Sequence, residues 1–194
     1  MAAKALDTYT IDEVTDASVS DLKPLVAVGT FDPKNANFVD APDGNIKGTA
    51  INEISINDFD NKVYLLNMGY EVGQEVPPKG SVSIAGDHRG WKKIRILRNG
   101  DNYILQYANL NDTSHQTIEI SKRDTYNFQH FSIASNSIVD VEPEKLKWDL
   151  CFTVFTNVLS GAGSYGFSDF VCHNSKSGTQ VYKVDTSQIS YEEF

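Results

Sequence analysis

The chain has 194 residues, 40% of them apolar and 22% charged, with 26 acidic against 17 basic side chains and a formal net charge of −9. A chain of this length buries a core without disulfide or metal staples, and the acidic balance, which repels phosphate backbones, argues against a nucleic-acid partner. No apolar run is long enough for a membrane-spanning helix, and the start MAAKALDTYTIDEV turns polar at once, unlike a secretory leader. These features leave two settings open, a cytoplasmic protein or the mature part of an exported one.

Taken in chain order, the sequence predicts short helical turns near Asp12–Asp21 and Ile56–Asn61 and otherwise only strands. Apolar runs bounded by turn residues predict strands over Leu25–Phe31, Lys62–Tyr70, Ser81–Ala85, Trp91–Leu97, Asn102–Ala108 and Gln116–Ser121. Further strands are expected over Tyr126–Ile133, Ile138–Val141, Lys147–Leu159, Phe167–His173 and Gln180–Val184. Many short strands with no amphipathic helix of any length indicate an all-β fold, an antiparallel sandwich or a barrel-like relative.

The sharpest local signal is WKKIRILRNGDNYILQYANL. Asn99-Gly100 between two alternating runs predicts a tight hairpin, because both residues tolerate the positive φ of a type I′ turn. Pairing across that turn sets Ile96 opposite Tyr103 and Ile94 opposite Leu105, with Lys92 near Tyr107. One side is then aliphatic and aromatic, and the other carries Lys93 and Arg95 opposite Gln106 and Ile104.

In KWDLCFTVFTNVLS, residues 147–160, Trp148, Leu150, Phe152, Val154 and Thr156 share one side by period-two alternation. The other side carries Asp149, Cys151, Thr153 and Phe155, so this strand is expected to be covered on both sides. Trp148 is expected to point into the core and Asp149 to accept from a nearby backbone N–H. The two cysteines, Cys151 and Cys172, either face each other across a hairpin or remain two small buried thiols. The glycine-rich SGAGSYGFSDF, residues 160–170, reads as a connector between strands or as a loop that gates a pocket.

A weak internal repeat relates VAVGTF…NFVDAPDGNIKGTAINEISINDF, residues 26–59, to LCFTVF…DFVCHNSKSGTQVYKVDTSQISYEEF, residues 150–194. It divides the chain into an N-terminal segment 1–24, a unit over 25–112 and a second over 113–194, about one and a half repeats in all. The ending ISYEEF reads as an interruption rather than a finished domain.

Catalytic signatures are missing: the sequence contains no GxSxG, P-loop, GxGxxG or HExxH pattern. Asp58-Phe59-Asp60 and Glu192-Glu193 lie in turn-like settings unsuited to a tuned acid/base pair, so no enzyme is expected. Asp40…Asp43-Gly44-Asn45 falls short of a calcium loop and reads first as a turn. No Cys/His spacing suits zinc, and none of His88, His115, His130 and His173 has a partner at metal-ligand spacing. Lys79, Arg89, Lys92, Lys93, Arg95 and Arg98 gather six of the 17 basic residues within twenty positions. They either receive an anionic ligand or solvate an edge strand.

The stretch HQTIEISKRDTYNFQHFSIASNSIVDVEPEKLKWDLCFTVFTN, residues 115–157, resembles the HmuY family of exported haem-binding lipoproteins of Gram-negative bacteria. Its elements are a β-run, an aromatic strand with Tyr126, Phe128 and Phe131, a strand with Ile138, Val139 and Val141, and the Trp148-Asp149 strand. The hairpin Trp91–Leu110 resembles the closing hairpin of the family's second half, so the halves stand here in shifted order. The resemblance implies an all-β sandwich-like fold, a cell-surface location through a removed lipid-anchored N-terminus, and haem as ligand. Known members hold haem between two histidines; the corresponding residues 60–92 contain only His88, together with Met68 and Tyr70 as further axial donors. Met68, Tyr70, His88 and Arg89, the last for the haem propionates, are the implied ligand residues. The alternative partner is a surface glycan or protein, bound by an adhesive β-module without a cofactor.

Overall fold

The structure, a computed structural model, describes residues 2–81 and 86–193, the side chains of 168 and 169 excepted. It is all-β, with antiparallel sheets and only four short 3₁₀ turns among the described residues. The strand expected over Ser81–Ala85 lies, from residue 82 on, outside those residues. Two compact units are present: one runs to Lys122 and includes Val154–Ser168, and the other comprises Arg123–Thr153 with the segment from Asp169 onward.

The first unit is built on five strands: β1 (Ala2–Ala5), β2 (Val63–Asn67), β3 (Trp91–Asn99), β4 (Asn102–Asn109) and β5 (Gln116–Ile120). They lie in sequence order, each antiparallel to the next. β2 is buried along its whole length, and Val63 and Leu65 pack with Ala2, Leu6, Ile11, Val14, Val19, Val26, Val39 and Leu110. Each Val, Leu or Ile among these contributes about 1.5–3 kcal/mol on full burial. Most of the covering layer, residues 11–39, has no strand. It holds 3₁₀ turns at Ile11–Glu13, Ala17–Val19 and Pro33–Phe38. The fourth turn, Asp58–Asp60, falls within the second helical turn expected from sequence.

Three local expectations change. Leu25–Phe31 forms turns rather than a strand, because Gly29 and Phe31 adopt φ of 73° and 56°, outside the extended region. The β3–β4 turn centres on Gly100-Asp101, with Asn99 paired to Asn102, so Ile96 faces Leu105, Ile94 faces Tyr107 and Arg98 faces Tyr103. Glycine at the first central position, here with φ 61°, suits a type II′ turn. The register moves by two residues, which keeps every side chain on its expected side. The basic strand β3 is also the central strand and no edge.

In the second unit β6 (His130–Ser132) and β7 (Ser137–Val139) form a short antiparallel pair, and Gln180–Val184 has no strand. The longest strands, β8 (Leu150–Leu159) and β9 (Gly163–His173), form a two-stranded sheet. Residues 163–166, expected in a loop, are therefore strand, and extend the strand expected over Phe167–His173 toward the turn. The base of this hairpin is tied by Asn174, which is buried. Its backbone N–H donates to Asp149 O at 2.8 Å, and its Nδ2 donates to Lys145 O at 2.7 Å and Trp148 O at 3.0 Å.

Asp149 takes hydroxyl donors, Thr179 Oγ1 and Ser177 Oγ, on its carboxylate instead of a backbone N–H. Trp148 is half-buried. Cys151 is exposed and Cys172 intermediate, both as free thiols, so the expectation of two buried thiols is corrected. The side of β8 bearing Leu150, Phe152 and Val154 is likewise exposed and not covered as its alternation suggests.

Candidate functional site

The four residues nominated as ligands come together at the end of the β2–β3 ladder. Regular pairing stops at Asn67 opposite Trp91. Beyond it, Gly69 on one chain and Gly90 on the other, one position out of register, have φ of 75° and 85°, a kink that only glycine adopts without strain. The two chains then stay joined: Met68 N–H donates to Gly90 O at 3.1 Å, Arg89 N–H to Gly69 O at 2.8 Å, and Glu71 N–H to Asp87 O at 2.8 Å. Tyr70 and His88 form a bridge pair within this extension. Gly86 permits the close approach, since a Cβ there would lie 2.0 Å from Glu71 O.

Aromatic rings line the extension. Tyr70 stands edge-on to His88 with centroids 5.1 Å apart, and His88 lies 5.6 Å from Trp91. Lys23 Nζ sits 5.8 Å over the Trp91 ring, and Arg89 Nε is paired with Glu71 Oε1 at 3.2 Å. Tyr70 is 55% exposed and Met68 half-buried, so the Tyr70 ring presents a surface on which a planar ligand can stack.

The tautomer of His88 follows from its neighbours. Asn67 Nδ2 donates to Val26 O at 2.8 Å, which directs Asn67 Oδ1 toward His88 Nε2 at 3.0 Å and the Gly69 N–H at 2.9 Å. Nε2 therefore carries the proton, while Nδ1 accepts from the Gly90 N–H at 3.0 Å. Both ring nitrogens are engaged, so coordination through His88 requires breaking one of these bonds. The donors left for an axial role are the Met68 thioether and the Tyr70 phenol.

Asn67, Glu71 and Trp91 belong to this site without having been singled out from sequence. Asn67 carried the one readable signal, a polar residue closing the aliphatic run VYLLN.

Two further members of the basic cluster are spent elsewhere. Side chains opposite one another in the ladder share a side, so pairing with Leu65 and Val63 puts Lys93 and Arg95 on the core side of the sheet. Lys93 is 0% exposed, and its ammonium donates to Val14 O at 2.8 Å and Asp112 O at 2.7 Å. Burial pushes its pKa below the ordinary lysine value, against the opposing pull of Asp12 and Asp112. Arg95 donates to Asn61 O at 2.9 Å and Asp58 O at 2.8 Å. Lys93 thus solvates no surface, and neither side chain is available to receive an anion.

The remaining candidates have local roles. Asp43 and Asp40 accept from the Asn45 and Ala50 N–H groups, both at 2.9 Å, which makes this stretch a turn. His115 Nδ1 lies 2.9 Å from Asp12 Oδ1, His130 stacks 6.1 Å from Phe128, and His173 is exposed. Among the described residues no three His, Cys, Asp or Glu side chains are grouped to hold a metal ion. No protein-family model, curated protein or solved structure matches the chain.

Proposed function

We propose that this protein is a non-enzymatic, exported binding protein of the HmuY-like group, holding a planar anionic ligand, haem, against the β2–β3 extension. The observation that carries this reading is the joining of Met68, Tyr70, His88 and Arg89 in one ladder, with Tyr70 and His88 directly paired. Tyr70 offers its ring as a platform and its phenol as a donor, Met68 a soft donor, and Arg89 a cation for a propionate. Haemin titrated into the purified protein is expected to shift the Soret band to a saturating end point, with loss of the shift in Tyr70→Ala and weakening in Met68→Ala. No shift in the parent protein refutes the haem assignment.

A second reading, a β-module that binds a surface glycan or protein without a cofactor, is favoured by the engagement of both His88 ring nitrogens. Binding on a glycan array by protein that leaves the haemin spectrum unchanged distinguishes it from the first.

A further inference from the structure

The turn between β3 and β4 places an amide beside an unengaged backbone nitrogen. Asn99-Gly100 is the only Asn-Gly pair in the sequence, and both residues are exposed, as is Asp101 after them. Asn99 pairs with Asn102 across the turn, and the Gly100 N–H has no acceptor among the described residues. That nitrogen is open to act as a nucleophile, and glycine sets no side chain in the path of its approach. The Asn99 amide is loosely held: its Nδ2 lies 3.4 Å from Glu119 Oε2, longer than an ordinary N–H···O bond.

We propose that Asn99 is a site of spontaneous deamidation, and that Glu119 turns this modification into a loosening of the sheet edge. The Gly100 nitrogen attacks Asn99 Cγ. The N–Cγ bond forms, the Cγ–Nδ2 bond breaks, and Nδ2 leaves as ammonia with the proton that Gly100 gives up. Water then opens the resulting succinimide at either carbonyl, leaving an aspartyl or an isoaspartyl linkage at position 99. Both products carry a carboxylate where the amide stood, and the isoaspartyl form also adds a methylene to the backbone where Asn99 pairs with Asn102. Glu119 gives the change its consequence. Its carboxylate receives both asparagines of the turn, Asn102 Nδ2 at 2.6 Å as well as Asn99, and so ties the turn to β5, the outer strand of the sheet. After deamidation it faces a like charge in place of a donor. Arg98 and Lys122 do not offset that charge, because both are held over the Tyr103 ring on the other side of the sheet. This site is independent of the ligand site at Tyr70.

The test incubates the full folded chain at mildly alkaline pH and maps it by peptide mass spectrometry. The expected result is the mass gain of an amide converted to a carboxyl, first in the peptide that contains Asn99, with isoaspartate recovered there and the gain absent in Asn99→Ser. Amide exchange in the modified protein is expected to be about three- to tenfold faster in β5, with β1 unchanged. Glu119→Gln is expected to deamidate at the same position while showing a smaller increase in β5 exchange. No gain at position 99, or an earlier gain at another asparagine, overturns the assignment of the site. A gain that leaves β5 exchange unchanged, or speeds it equally in Glu119→Gln, overturns the part given to Glu119.

Discussion

Gly163→Ala and Gly161→Ala form a matched pair in the β8–β9 turn. Both glycines have positive φ, 82° and 78°, so an alanine at either incurs the same left-handed backbone strain, about 1 kcal/mol. Only Gly163 has neighbours: a Cβ there would lie 2.2 Å from Asp32 O and 2.3 Å from Asn35 Oδ1, whereas nothing lies within 4 Å at Gly161. Asn35 is fully buried, and its Oδ1 accepts from the Ser164 N–H at 2.5 Å and the Ser164 hydroxyl at 2.9 Å. Relieving the overlap means displacing the Asp32–Asn35 backbone, about 1–3 kcal/mol, and loosening these bonds to Asn35 adds about 1–3 kcal/mol. The expected loss is about 3–7 kcal/mol for Gly163→Ala against about 1 kcal/mol for Gly161→Ala. Urea unfolding followed by Trp91 fluorescence, in a Trp148→Phe background, measures both. Losses equal within about 0.5 kcal/mol, the usual spread of neutral surface changes, would refute the packing of the hairpin tip onto residues 32–35.

Other consequences follow from single buried groups. Asn174→Ala leaves Lys145 O, Trp148 O and the Lys176 N–H without their side-chain partner and is expected to cost about 2–4 kcal/mol, read from Trp148 fluorescence in urea. Asn67→Leu removes the acceptor of the Gly69 N–H and frees the His88 ring; faster amide exchange at Gly69, with Ile118 unaffected, is the expected signature. Lys93 has its pKa lowered in the fold, so the unfolded chain holds that proton more tightly. Its contribution to stability therefore increases as pH rises from the folded value toward about 10.4, the unfolded one. The stability of the parent minus that of Lys93→Met is expected to increase over that window, and a decrease refutes the burial argument.

How much of this was readable in advance follows from the range of the interactions. Alternation and the Asn99-Gly100 pair located β3 and β4 because strand period and turn chemistry act between neighbours. The same signals placed the register two residues off, since Gly100 alone supplies the required φ and Asp101 rather than Asn99 completes the turn. Residues 25–31 read as a strand because Val26 and Val28 are apolar, yet Val26 is buried within a run of turns, held by Asn67 from 41 positions away.

The candidate site divides the same way. Met68, Tyr70, His88 and Arg89 were visible as residue types, while the hydrogen bonds that engage both nitrogens of His88 were not, because Asn67 is oriented by the carbonyl of Val26. The clearest inversion is in β3. By itself the sequence determined that Lys93 and Arg95 lie on the side opposite Ile94 and Ile96, since successive side chains alternate. Only the tertiary structure decided that the charged side is the one turned to the core. There the carbonyls of Val14 and Asp112 stand within reach of the Lys93 ammonium, and a buried charge is tolerated only where such partners converge.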